Sequence, residues 1–207
     1  MLKGEQRRLQ RYAIESIPAR VCEGVRTWFT IIVLSATGNS PAQMRRAVLV
    51  CGGRELARGR RIPKQHERPP GRGLLHENQA LIEVENGRRI SGFPYIYSIV
   101  KTYNGEEEGV GYTLVLDFLL RPNSSVVRVQ GFFQEYGITG VRDATVFARL
   151  SQDKGFSEDS WCFDPYDPDS QASYKMNQSE LAEYDELFPD HPLTQCRMLI
   201  RHYKENF

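Results

Sequence analysis

Residues 110–120 read VGYTLVLDFLL, and the fold turns on this stretch. Val110, Tyr112, Leu114, Leu116, Phe118 and Leu120 recur at a spacing of two, the period of a β-strand, so the run predicts a central strand with one apolar face. Upstream, residues 94–103 alternate in the same way, with Tyr95, Tyr97, Ile99 and Tyr103 on one side. Downstream, residues 126–133 place Val127, Val129 and Phe133 together. Asn104-Gly105 and Pro122-Asn123-Ser124 punctuate these runs as turns. Connections that short favour antiparallel pairing. Residues 80–85 read as a further strand, closed by Asn86-Gly87, a dipeptide that suits a tight hairpin turn because both residues tolerate positive φ.

Past the strands the period changes. Thr139 is placed to cap a helix over 140–151, with Val141, Ala144, Phe147, Ala148 and Leu150 inward and Arg142 exposed on the first turn. Asn177 and Glu180 have capping-box spacing, ahead of an inner face made of Leu181, Tyr184, Leu187 and Phe188. Asp190 or His191 caps a last helix with Pro192 in its first turn. Its apolar stripe is Leu193, Cys196, Leu199, Ile200 and Tyr203. The fold class expected is therefore α+β, with a mostly antiparallel sheet over about residues 80–136 packed against C-terminal helices.

Ahead of this body, residues 1–50 predict a short polar helix over 2–16, a strand over 26–34, a turn at 37–41 and an ambiguous apolar segment over 42–50, all in the same domain as residues 80–207. Between them, residues 51–79 form an Arg/Gly/Pro-rich loop, expected to be disordered because it offers little apolar surface to bury. Residues 1–100 carry 17 Lys and Arg against 8 Asp and Glu, whereas residues 101–207 carry 10 against 18. A basic first half thus precedes an acidic second half.

Composition narrows the class. A chain of 207 residues can bury a core without disulfides or metals. Its four cysteines, Cys22, Cys51, Cys162 and Cys196, are scattered without a CxxC pair, which fits a reducing compartment. The longest apolar run, residues 28–34, is far short of the ~20 residues of a membrane span, and no signal peptide is visible. A cytoplasmic protein with no membrane contact is the expectation.

Several stretches of the second half resemble a pattern found in small uncharacterised bacterial proteins. They are Thr139 to Asp143 (TGVRD), Trp161 to Pro168 (WCFDPYDP), Met176 to Glu180 (MNQSE), Glu183 to Glu186 (EYDE) and Phe188 to Leu193 (FPDHPL). The resemblance brings no reaction or ligand with it. More faintly, strands followed by helices look like the Mog1/PsbP-like α/β/α sandwich, which implies a binding or accessory role.

Each chemistry-bearing feature also has a plain structural reading. Arg142, Asp143, Trp161 and Asp164 are the candidate binding residues, at a corner where a helix start meets an acidic loop. Asp164, Asp167 and Asp169, with Glu158 and Asp159, supply the carboxylates a hard cation needs. Their spacing is not that of an EF-hand, however, and Asp-Pro pairs are turn formers. Asp190-His191 could be an acid–histidine pair, but both residues are explained as helix caps. Cys196 sits on an apolar helix face, as a core thiol does. The tyrosine stripe, joined by Tyr112, could line a groove or lie beneath a helix. Arg58, Arg60 and Arg61, within a basic segment over 45–72, could neutralise phosphates, although aromatics for base stacking are missing.

The function expected first is a non-enzymatic accessory or protein-interaction domain with a protein partner, no cofactor, no catalytic residues and no metal. The alternatives are a nucleic-acid-associated protein using residues 45–72 and a metal-dependent hydrolase built on the acidic loop 158–169.

Overall fold

The computed structural model describes residues 25–35, 45–51, 75–88, 92–106, 109–121, 125–135 and 138–206. Six strands form one sheet: β1 (Val25–Ser35), β2 (Arg45–Cys51), β3 (Gln79–Arg88), β4 (Pro94–Tyr103), β5 (Val110–Arg121) and β6 (Ser125–Glu135). Their spatial order is β2-β1-β6-β5-β4-β3, and every neighbouring pair is antiparallel. The ambiguous segment over 42–50 contributes a strand, β2. The predicted helix over 2–16 and the turn at 37–41 lie outside the described residues, as does 52–74 of the loop expected over 51–79, whose ends are instead strand: Cys51 closes β2 and Gln79 opens β3.

The α+β arrangement follows from the alternation. On β5, Leu114, Leu116 and Phe118 are fully buried and Tyr112 nearly so. Ile99 on β4 and Val127, Val129 and Phe133 on β6 continue that face. A C-terminal helix, here α2 (Pro192–Asn206), lies across it and buries Leu193, Cys196, Leu199, Ile200 and Tyr203. Each large apolar side chain removed from water here contributes about 1.5–3 kcal/mol. Tyr95, Tyr97 and Tyr112 belong to this core, while Tyr103 at the end of β4 is exposed and packs on Tyr174. The tyrosine stripe is thus mainly a sheet face beneath a helix.

The edge strand β3 departs from its sequence reading in two ways. It carries a bulge between Leu81 and Glu83, which makes Ile82 an extra residue opposite β4. One inserted residue reverses the side of everything after it. Ala80 and Ile82 face the core, and beyond the bulge Glu83, Glu85 and Gly87 stand opposite Ile99, Tyr97 and Tyr95. In addition, Asn86-Gly87 is not a hairpin turn, because β3 runs through it to Arg88. Gly87 is needed for space instead: a Cβ there would lie 2.7 Å from the Tyr95 hydroxyl oxygen and 2.9 Å from its Cζ.

After the sheet come α1 (Val141–Leu150) and a largely irregular segment. That segment contains a two-stranded ribbon, β7 (Cys162–Phe163) with β8 (Met176–Asn177), and 3-10 turns at Gln178–Glu180 and Ala182–Leu187. No helix among the described residues is long and apolar enough to cross a membrane.

Candidate functional site

The start of α1 is built differently from its sequence reading. The cap residue is Gly140, with φ at +72°, rather than Thr139. The Gly140 N–H donates to Glu135 Oε2 at 2.8 Å, so the carboxylate at the end of β6 takes up the helix entry. Val141 and Ala144 point to solvent, whereas Arg142 and Val146, one turn apart, are buried. The apolar stripe misplaced the inner face because the residue anchoring it is an arginine.

Arg142 is 1% exposed. Its Nε donates to the Ser179 carbonyl at 2.7 Å, Nη1 to Thr194 Oγ1 at 3.0 Å, and Nη2 to the Leu181 carbonyl and Asp185 Oδ1, both at 3.0 Å. A guanidinium is suited to this, since its planar fork holds five donors at fixed angles. The carboxylate that meets it therefore comes from the turn Ala182–Leu187, not from the acidic loop 158–169. Asp185 Oδ1 also accepts from Arg197 Nη1 at 2.9 Å, and Arg197 reaches Glu83 beyond the β3 bulge at 2.8 Å. Burial alone would lower the Arg197 pKa, but Asp185 and Glu83 raise it.

Asp143 belongs to the adjoining half of the same network. It accepts from the Ser179 hydroxyl and, at 3.1 Å, from Asn177 Nδ2. Asn177 and Glu180 close the capping box, with the Asn177 N–H donating to Glu180 Oε2 at 2.8 Å. Glu180, fully buried, also accepts from Lys101 Nζ at 3.1 Å and from the Tyr112 hydroxyl at 2.7 Å. Burial lowers the Lys101 pKa, yet Glu180 overrides this and lifts it above its ordinary value. Tyr112 is raised well above the usual phenol range by burial and then by Glu180.

The motifs thus converge. TGVRD supplies Arg142 and Asp143, MNQSE supplies Asn177, Ser179 and Glu180, and EYDE supplies Asp185. Together they clasp α1, the two 3-10 turns, α2 and the sheet. Each of these ionic groups is paired, so the clasp fixes the fold and offers no unengaged nucleophile or base among them.

The remaining candidates lie apart. Trp161 is half-buried and meets Phe147 of α1 edge-on at 5.1 Å, so it anchors its loop from outside the clasp. Asp164 accepts from the N–H groups of Tyr166 and Asp167, a local turn, and lines a separate cavity of about 390 Å³ beside Gln79 and Tyr174. Among the described residues no three His, Cys, Asp or Glu side chains converge as metal ligands. Cys196 is fully buried and its thiol pKa is pushed well up by burial. Arg58, Arg60 and Arg61 lie outside the described residues.

A second cleft, of about 310 Å³, opens between the end of β6, the start of α1 and the corner leading into α2. His191 is that corner's capping residue: its carbonyl accepts from Gln195 N–H, and its Nδ1 accepts from Leu193 N–H at 3.2 Å. Its Nε2 faces Glu135 Oε1 at 3.4 Å. His191 is therefore partnered by Glu135 rather than by its neighbour Asp190. Burial would raise the Glu135 pKa, but the bonds from His191 and the Gly140 N–H hold it below the usual carboxylate range. Above this floor stand Ile138, Val141 and Leu187, which are 86%, 48% and 55% exposed. Leu187 faces out, contrary to the inner face read for its turn, while Tyr184 faces in.

The signal for this cleft was split between two distant segments, 135–142 and 187–192, and only folding brings them together. Comparison of the chain with protein-family models, curated proteins and solved structures gives no match.

Proposed function

We propose that the protein is a non-enzymatic accessory domain that docks a partner protein at the cleft between β6, α1 and the entry to α2. The observation that carries this reading is the clustering of Ile138, Val141 and Leu187, three exposed large aliphatic side chains, around one concave site. Scattered exposed apolar residues need no explanation, but a contiguous set beside a cleft with a polar floor is the composition of an interaction site. The satisfied clasp beneath supports it, because a rigid platform limits the ordering cost of binding. The faint likeness to Mog1/PsbP-like accessory proteins points the same way.

The test compares partners recovered by affinity purification with the wild type, with Ile138→Ser/Leu187→Ser, and with Ile96→Ser as a control. Ile96 is also exposed but lies on β4, away from the cleft. Partners kept by the wild type and the control and lost by the double variant are expected. Identical partner sets for all three proteins would refute the reading.

A further inference from the structure

β3 is an edge strand: among the described residues no other strand lies on its outer side. It shares no residue with the docking cleft. The Val84 N–H donates to the Tyr166 hydroxyl oxygen at 2.7 Å, so it points away from β4. In an antiparallel ladder every second residue shares that direction, which puts the N–H and C=O groups of Val84, Asn86 and Arg88 on the outer edge. Pro94 agrees with this assignment, since it has no N–H to give and stands opposite Arg88. The phenol oxygen of Tyr166 thus occupies the place where the carbonyl of a further strand would accept. Its turn is tied down, because Asp164 Oδ1 accepts from the N–H groups of Tyr166 and Asp167 at 2.9 and 3.2 Å.

We infer that the edge from Val84 to Arg88 fits a second copy of this chain, paired antiparallel about Asn86, and that Tyr166 holds this edge closed. Centring the pair on Asn86 brings Val84 opposite Arg88 of the second copy, Asn86 opposite Asn86, and Glu85 opposite Gly87. No like charges then stand directly opposite one another, which would be destabilising. The two Glu85 carboxylates lie diagonally across the two-fold axis, and each is already bonded to Lys204 of its own chain at 2.6 Å. The same patch serves both copies, as a two-fold contact requires. Of the outward pairs, both that join Val84 to Arg88 use a Val84 N–H, and Tyr166 takes that donor in each copy. Only the pair of Asn86 with Asn86 is left unobstructed. A side chain that takes up an outward N–H in this way is a guard against edge-to-edge association.

The test uses the full chain and reads mass by sedimentation over a concentration series and backbone amide exchange by NMR. Tyr166→Phe keeps the ring but removes the acceptor, so the Val84 amide should exchange at least about tenfold faster than in the wild type. Tyr166→Ala clears the ring as well and should add a concentration-dependent dimer in which the Val84, Asn86 and Arg88 amides are protected. Asp164→Ala releases the turn that presents Tyr166 and should act in the same direction, which keeps the inference testable if Tyr166→Ala does not fold. Adding Asn86→Pro, which removes the outward donor on the two-fold axis, should return either variant to the mass of the wild type. A mass that neither Tyr166→Ala nor Asp164→Ala raises above that of the wild type, or a dimer that Asn86→Pro leaves intact, would overturn the self-pairing edge. Exchange at Val84 that Tyr166→Phe leaves unchanged would overturn the closing role of Tyr166.

Discussion

Arg142 and Asp185 are 43 residues apart in the chain and 3.0 Å apart in space, with the arginine 1% exposed. Removing one member of a buried ionic network strands the other charges, which typically costs about 3–5 kcal/mol. Arg142→Ala is therefore expected to lower the unfolding free energy by about that amount, as read from urea denaturation. Arg142→Lys should recover little of it, because one ammonium cannot reproduce the fork. Trp161→Ala, at a half-buried position, should cost less than Arg142→Ala. The opposite ranking would mean that the outer loop, not the clasp, holds α1.

The β3 edge offers a pairwise test. Gly87→Ala puts a methyl group against the Tyr95 ring, and overpacking of this kind costs about 1–3 kcal/mol. In a Tyr95→Ala background the obstruction is gone, so the same substitution should be close to neutral. A double-mutant cycle by thermal melting measures the coupling. An unchanged Gly87→Ala cost in both backgrounds would place the need for glycine elsewhere.

Stability should also report the buried hydroxyls and the buried ammonium. Tyr97, Tyr112 and Lys101 all have raised pKa values in the fold: Tyr97 through burial and then Glu83 and Glu85, Tyr112 through burial and then Glu180, and Lys101 through Glu180 against the pull of burial. A raised pKa means that the folded state holds its proton after the unfolded chain has released its own. The stabilisation is complete below the unfolded values of about 10 to 10.4 and is lost as pH rises through the folded ones. Urea midpoints are thus expected to fall steeply above about pH 10, by up to ~1.4 kcal/mol per pH unit for each group. At the acid end Glu135 has a lowered pKa, so its contribution is present above the usual carboxylate range and fades as pH falls through it. A flat alkaline limb would mean that these groups are not buried as described.

The parts legible in the sequence are those where burial follows apolar periodicity. The stripe of β5 from Tyr112 to Phe118, that of β6 and the inner face of α2 appear in the fold as read. The parts that were not legible depend on polar burial and on register. Arg142 and Lys101 are buried because partners far along the chain satisfy them, and a hydrophobic stripe cannot register that. The β3 bulge turns Glu83 and Glu85 toward Arg197 and Lys204, although a strict alternation would place them on the other face. Gly87 was read as a turn residue, but it is a cleared space beneath Tyr95, and those two uses of glycine leave the same letter in the sequence. Of the four candidate binding residues, Arg142 and Asp143 meet in the clasp, while Trp161 and Asp164 serve other parts of the loop.

The clasp and the cleft should separate experimentally. Ile138→Ser/Leu187→Ser removes only exposed apolar groups, so its unfolding free energy should stay within about 0.5 kcal/mol per site of the wild type. Lys101→Met and Glu180→Gln should each destabilise substantially, and the pair together should cost less than the sum, because neither then leaves a buried charge alone. A rim variant that unfolds as readily as a clasp variant would make Ile138 and Leu187 structural.

Docking at the cleft is tested most directly by site-specific photo-crosslinking in living cells, with benzoylphenylalanine placed at Leu187 in one variant and at Ile96 in another. Both positions are exposed and accept a large side chain, and they lie on different parts of the fold. A discrete crosslinked protein partner from position 187, absent from position 96 and lost when Ile138→Ser is added, is the expected result. No crosslink from position 187, or the same products from both positions, would contradict the assignment of the cleft as the docking site.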